Sequence, residues 1–310
     1  MSKQAPYPSY ITYEKINRTP SVLDQQFPKA SDVEQGKLFY PKAEKLEKLF
    51  SSEYDSLKFG TARFCGFLHD TIAVELNIVI PAVSEIDRLN LEVPDIALDD
   101  ISCTGTDEGH HADQSRVFLN SIKKSYKIEY MEKGEETPIF LRRLEKLKSA
   151  ISNPYDKALF TVINGVVTET RISVELSQFA SNKTLVPEVR AVCRSHQEDE
   201  AIHSSQFRAL GQWIWSKLDD EKKELAATFY AKSTIARSLP DRRRIGFYLS
   251  QVTNIERQDC DKIVEDIYTE KVLRDDMLFA ARPTLRYLQR IGVTEYKNFK
   301  RIFANIGVEL

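Results

Sequence analysis

An all-α fold is predicted for this 310-residue chain by three features. Apolar residues recur at three- and four-residue steps, as in Leu46, Leu49, Phe50, Tyr54 and Leu57, and again in Phe140, Leu144, Leu147 and Ile151. That is the period of one helix face. Glycine is scarce, at 11 residues. No Asn-Gly pair lies between alternating segments where it would turn a hairpin, since Asn164-Gly165 sits inside a helical pattern. Helices are predicted over about 42–58, 61–90, 104–130, 137–151, 155–182, 187–216, 219–236 and 241–270, with shorter ones toward the C-terminus. Residues 1–37 carry Pro6, Pro8, Pro20 and Pro28 among Ser, Gln and Tyr, without helical periodicity. They read as an irregular arm ahead of one helical domain over 38–310.

Composition narrows the classes of function. Hydrophobic residues at 42% and charged residues at 29% describe an ordinary globular protein. A net charge of -2 leaves no electrostatic footprint for nucleic acid or an anionic membrane. The most apolar run, 72–83, is interrupted by Glu75, Asn77 and Pro81 and is too short to span a bilayer. Residues 1–13 lack the apolar segment of a secretory signal, and Cys65, Cys103, Cys193 and Cys260 form no CxxC pair. A reduced, cytoplasmic protein with neither disulfide framework nor zinc ribbon is expected.

Four predicted helices share an energetic contradiction. The apolar stripe Leu68, Ile72, Val79 is completed by Glu75, and the stripe Leu159, Val162, Val166, Ser173, Leu176 by Glu169. Another face reads Val189, Val192, His196, Glu200, His203, Phe207, Leu210. A buried carboxylate is costly unless something neutralises it, and several together call for a shared neutraliser such as a pair of divalent cations. Asp107-Glu108-x-x-His111 and Asp199-Glu200-x-x-His203 repeat one motif. A Glu-x-x-His step spans close to one turn, so both side chains reach one ion. The preceding aspartate is placed to hold an imidazole N–H and turn the other ring nitrogen toward the metal. By chance a histidine has acids at both of those places roughly one time in forty-five, and two of five histidines do so in roughly one chain in two hundred. Glu75 precedes Glu108 by 33 residues and Glu169 precedes Glu200 by 31, so the halves match. That is the ligand scheme of a ferritin-like four-helix bundle, here with additional helices and the N-terminal arm. Glu175 and Glu85 stand in reserve for Glu169 and Glu75.

One residue breaks the symmetry. His196 gives His-x-x-x-Glu-x-x-His on one face, and the first motif has no counterpart. With Glu75, Asp107-Glu108-Gly-His-His111, Glu169 and His196-x-x-x-Glu200-x-x-His203, the chain resembles the di-iron arylamine N-oxygenases typified by p-aminobenzoate N-oxygenase. The resemblance implies two iron ions, with manganese open, and O2 as co-substrate. It implies Glu75, Glu108 and His111 on one ion and Glu169, His196, Glu200 and His203 on the other, with Glu108 and Glu200 bridging. The implied reaction oxidises an amine nitrogen to hydroxylamine, nitroso or nitro in secondary metabolism. The substrate is a small amine or a carrier-bound amino acid, and a homodimer is implied. The chain shows no glycine-rich dinucleotide fingerprint, so electrons are expected from an external reductase or small reductant.

Other residues read more plainly. His110 points about 100° from His111 on a helix, and His69 lies off the face of Glu75. Tyr126, Tyr130, Trp213 and Trp215 read as packing residues, and Asp113 and Gln114 have no assigned role. Three rival functions stay open: a di-iron C–H hydroxylase or desaturase, a metal-storage or scaffolding protein, and a metal-free structural bundle. The long terminal additions do not suggest a small cage-forming subunit.

Overall fold

The structure is a computed structural model. It describes residues 38–309 apart from residue 42 and the side chains of residues 173 and 174. The predicted arm over 1–37 and the orientation of Ser173 lie outside the described residues. After a 3-10 turn at Glu47–Leu49, α1 (Glu53–Val74) passes through a π-helical segment (Glu75–Val79) into α2 (Ile80–Glu85). Then follow α3 (Asp95–Tyr126), α4 (Ile139–Ser149), α5 (Pro154–Ser181), α6 (Pro187–Lys217), α7 (Asp220–Ser238), α8 (Arg242–Val252), α9 (Arg257–Ile267), α10 (Glu270–Arg290) and α11 (Lys297–Ala304). Among the described residues no strand occurs, only one parallel bridge between Leu38 and Leu185.

Local chemistry sets these ends. Ser52 accepts a hydrogen bond from the Asp55 N–H at the start of α1, Asn153 from Asp156 at α5, and Asp219 from Lys222 at α7. Each satisfies one orphan donor of a first turn. Pro154 and Pro187 open α5 and α6, where a missing N–H costs nothing.

Several boundaries differ from expectation. No break separates 42–58 from 61–90: α1 continues through Gly60, where a Cβ would make only ordinary contact, 3.5 Å from the Tyr40 carbonyl oxygen. Nor do residues 43–52 form an α-helix. The third helix begins at Asp95, nine residues before position 104. The helix predicted over 241–270 is two, parted at Thr253, whose backbone is extended and whose hydroxyl bonds back to the Leu249 carbonyl. The continuous span Glu53–Glu85 is long and apolar enough to cross a bilayer, unlike the shorter run read from the sequence. Half of its most apolar window is buried in the bundle, and Glu75 within the span is fully buried, as befits a core helix.

Two apolar clusters fix the direction of the four central helices. One contains Val79, Ile101, Val162, Val166, Phe207 and Leu210, and the other Leu68, Phe118, Leu119, Leu176, Val189 and Cys193. Along the chain, α1 and α6 run from the second cluster to the first, while α3 and α5 run the opposite way. So α1 is antiparallel to α3, and α5 to α6, with α4 on the long crossover between the two pairs, as ferritin-like bundles require. Gly165 marks the closest approach: a Cβ there would lie 2.6 Å from Ala82 Cβ and 2.8 Å from Phe207. This draws α2, α5 and α6 together about one turn before Glu169. The added helices α7, α10 and α11 pack beside the first cluster, and α8 and α9 beside the start of α1.

Candidate metal centre

Between the two apolar clusters lies a layer of charge. Glu75, Glu108, Glu169 and Glu200 are all fully buried, and His111, His196 and His203 are at most 5% exposed. Glu75 opens the π segment, a widened turn of the kind that recurs at functional positions. One donor atom each from Glu75, Glu108, His111, His196 and Glu200 lie within 4.8 Å of one another, and the same holds for Glu108, Glu169, Glu200 and His203. All seven residues named from the sequence therefore meet, with Glu108 and Glu200 common to both groups.

The arrangement corrects the expected partition in one respect. His196 joins the group of Glu75 and His111, not that of Glu169 and His203. Its Nε2 is 2.9 Å from Glu200 Oε1 and 3.8 Å from Glu75 Oε1, and its ring centroid is 3.9 Å from that of His111. Helix direction is the reason. On α6, His196 and His203 straddle Glu200 along the axis, separated by roughly 10 Å of rise. Because α6 is antiparallel to α3, the residue before Glu200 lies level with the residue after Glu108, which is His111.

Glu108 spans the centre, with Oε2 2.8 Å from His111 Nδ1 and Oε1 2.7 Å from His203 Nδ1. The far ring nitrogens are held crosswise. His111 Nε2 lies 3.3 Å from Asp199 Oδ2, and His203 Nε2 lies 3.2 Å from Asp107 Oδ2. An ionised carboxylate only accepts, so each Nε2 carries the proton and each Nδ1 is turned inward as a donor atom. Each motif's aspartate thus serves the other motif's histidine. One turn beyond, Gln206 accepts from the Thr104 hydroxyl and donates to the Asp100 carbonyl at 3.2 Å, tying α3 to α6.

Electrostatics without metal describe a site filled by protons. Burial, and then Glu108, Glu200 and Glu169, push the Glu75 carboxyl well above its ordinary value. Burial, Glu200 and Glu108 do the same to Glu169. Burial and Glu200 also push Glu108 up, but His203 and His111 outweigh them and hold it at about 2. Burial opposes ionisation of Glu200, yet hydrogen bonds from His196 and His203 hold it well below the usual range. Burial works against charge on His111 and His203, but Glu108 and the paired aspartates override it, raising His111 to about 9 and His203 well above its ordinary value. His196 is pushed down, by burial and by His111. Two ionised carboxylates then face two imidazolium ions, and the layer is neutral.

The donor set fits two divalent cations. Both oxygens of Glu75, both of Glu169, Glu200 Oε2 and His203 Nδ1 are buried without a hydrogen bond of sound geometry. Such groups cost about 1–3 kcal/mol each when left unsatisfied. Two dications would use those atoms and balance four ionised carboxylates, with every imidazole neutral. Carboxylate and imidazole donors suit iron or manganese.

Over residues 53–239 the sequence matches the family described as p-aminobenzoate N-oxygenase AurF. The chain belongs to this family. All seven donors and both aspartates fall inside the matched span, and the AurF family's di-iron, ferritin-like character agrees with the paired clusters. No curated protein matches the chain.

The remaining sequence candidates lie away from the centre. Glu85 pairs with Arg88 at 3.3 Å and Glu175 with Arg171 at 3.5 Å, so neither reserve carboxylate reaches the metal layer. His110 joins neither group, and the His69 ring lies 5.4 Å from that of Tyr130. Asp113 pairs with Arg116, while Gln114 is buried. Trp213 donates to the Leu91 carbonyl at 3.0 Å, and Trp215 packs edge-on to Tyr296. Thr104 and Gln206 escaped the sequence reading, because only their cross-helix contact gives them meaning.

Proposed function

We propose that this chain is a di-iron N-oxygenase that uses O2 to oxidise an amine nitrogen in natural-product biosynthesis. The observation that carries the reading is the third imidazole: His196, beside Glu75 and His111, completes seven donors within a family of N-oxygenases. One ion would be held by Glu75, His111 and His196, the other by Glu169 and His203, with Glu108 and Glu200 shared. When bound, the iron pair supplies reductive activation of O2. In the first turnover one oxygen atom goes to the nitrogen, giving the hydroxylamine, and the other leaves as water with two protons and two electrons from an external reductant.

The protein's own part is orientation, desolvation and proton storage. Asp107 and Asp199 fix the imidazoles of His203 and His111. The two apolar clusters exclude water above and below the layer, which strengthens every electrostatic interaction inside it. Glu75 and Glu169 hold protons that leave when cations enter.

Loading the purified protein with ferrous iron without oxygen, then admitting O2 with aryl amines, amino acids and carrier thioesters, tests this directly. The expected result is a hydroxylamine, nitroso or nitro product from at least one amine. Oxygen consumption with no such product from any of them would end the N-oxygenase reading, and hydroxylated or desaturated acyl substrates would replace it.

A further inference from the structure

The outer face of α10 carries an open groove of about 580 Å³, closed at one end by a 3-10 turn at Val293–Glu295. Leu278, Phe279 and Leu285 give it an apolar floor, and Arg282 and Arg286 run along it. Phe279 is 56% exposed, with its ring centre 5.2 Å from the Arg282 guanidinium. An exposed apolar patch rimmed by charge marks a contact surface. Helix α10 also lies beyond residues 53–239, so the family match does not describe it.

The charge on this face is one-sided. From Met277 to Gly292 the chain has Arg282, Arg286 and Arg290 and no acid. The neighbouring α6 adds Arg208 and is likewise without an acid from Ala201 to Lys217. Burial and then the charge of Arg290 pull the Arg208 guanidinium down, and the Tyr287 hydroxyl donates to the Arg208 carbonyl at 2.9 Å. Among the described residues none of these four arginines has an ion pair, whereas Arg116, Arg142, Arg244 and Arg257 each have one. Two acids do touch the groove. Glu295 is taken by Lys300 at 2.8 Å, and Asp275 lies seven residues before Arg282, about 10 Å away along the helix. The back wall has the opposite sign: α3 carries Asp95, Asp99, Asp107 and Asp113 before its first lysine or arginine, Arg116.

This pattern selects a partner. A second copy of the chain would set arginines against arginines, so the face is not self-complementary. An acidic protein surface complements it, and the acidic back wall turns the same partner away. Position selects the kind of acidic protein. On the inner side of α10 the Thr284 hydroxyl pairs with that of Thr170 at 2.9 Å, and Thr170 follows Glu169 on α5. One helix, about 10 Å thick, thus separates the groove from the helix that bears Glu169.

We propose that the α10 groove docks an acidic electron-transfer protein, with Arg282 and Arg286 steering it and Phe279 as the apolar contact. The proposal rests on the oxygenase reading for the need of electrons, and it selects a protein donor over a small reductant. One electron passes per encounter, from the donor's reduced centre to one ferric ion. Two encounters therefore oxidise two donors and restore two ferrous ions.

Reduced plant-type ferredoxin, an acidic donor, is the probe, and cytochrome c is the basic counter-probe. At low salt the metal-free protein should bind ferredoxin and not cytochrome c, with affinity falling steeply as salt rises. Arg282→Glu combined with Arg286→Glu should weaken binding by at least about tenfold, while Lys124→Glu on α3 should leave it unchanged. With ferric-loaded protein the double variant should slow ferredoxin oxidation by a similar factor and leave reduction by dithionite unchanged. Absence of ferredoxin binding, equal affinity in the double variant, or arginine-dependent binding without electron transfer would overturn the proposal. So would capture by phosphatidylserine vesicles through the same arginines in place of ferredoxin. The salt dependence and the counter-probe need no variant, so misfolding of the double variant does not shield the proposal. Arginine-dependent electron transfer with no amine oxidised would leave it standing and remove the N-oxygenase reading. Ferredoxin-driven amine oxidation that is equal in the double variant would do the reverse.

Discussion

The two halves of the bundle present the same ligands from different backbones. In the first, Glu75 stands on a π segment and Glu108 and His111 follow on α3. In the second, Glu169 stands on regular α5, and Glu200 and His203 follow on α6 after a short turn. Yet the third imidazole, borne by the second half, joins the cluster of the first. The symmetry of the motifs thus coexists with two unequal sites, one with two imidazoles and one with a single imidazole. Neither half is self-sufficient, since each lends its aspartate and a carboxylate to the other.

Removing a shared carboxylate should have the largest effect. Glu108→Ala or Glu200→Ala is expected to reduce bound iron from about two ions per chain to nearly none, whereas Glu169→Ala should leave about one. Elemental analysis of the purified variants reads this directly, and equal losses in all three would show that the halves do not share ligands as described. His196→Ala should then empty the site of Glu75 and His111 while sparing that of His203, visible as one surviving step in a cobalt titration. Loss of the other step would restore the partition read from the sequence.

Acidity separates the metal-free and loaded forms. His111 is raised from 6.5 to about 9, so its contribution to stability is complete below 6.5 and is lost as pH rises through 9. The raised His203, Glu75 and Glu169 act in the same direction. Glu108 and Glu200 are depressed, so their contributions are already complete above 4.5. His196 is lowered and acts oppositely, but only up to about pH 7.5. The melting temperature of metal-free protein should therefore fall between about pH 7.5 and 10, and iron loading should suppress the fall. Loading should also release up to about four protons in a pH-stat at neutral pH.

Smaller effects test the crosswise support. Asp199→Asn should weaken the ion beside His111, and Asp107→Asn the ion beside His203, each by about tenfold to a hundredfold. If each substitution weakened the ion of its own motif instead, the crossed pairing would be wrong. Smallest of all, Glu85→Gln and Glu175→Gln should leave iron stoichiometry unchanged.

Much of this centre was legible because a glutamate on an apolar helical stripe contradicts ordinary burial, and three such contradictions, with the repeated motif at Glu108, share one resolution. Spacing selected Glu169 over Glu175, and the fold places only the former in the metal layer. The partner of His196 was not legible, because it depends on the direction of α6 relative to α3, which a local motif does not encode. The continuous helix through Gly60 was hidden because a glycine reads as a break, whereas burial of its neighbours Phe59 and Ala62 carries α1 through it.

A cavity of about 320 Å³ lined by residues of α1, α4, α5, α7, α8 and α10, and by none of α3 or α6, gives the centre a front and a back. Its back, α3 and α6, holds the paired motifs, braced by Asp107, Asp199 and the Thr104–Gln206 tie. Its front, α1 and α5, offers only Glu75 and Glu169, whose oxygens lack such bracing. Carboxylates bind an ion through one oxygen or two, so coordination could open toward the cavity while the imidazole wall stays still. Pliancy and rigidity are thereby assigned to opposite pairs of helices, with the cavity on the pliant side.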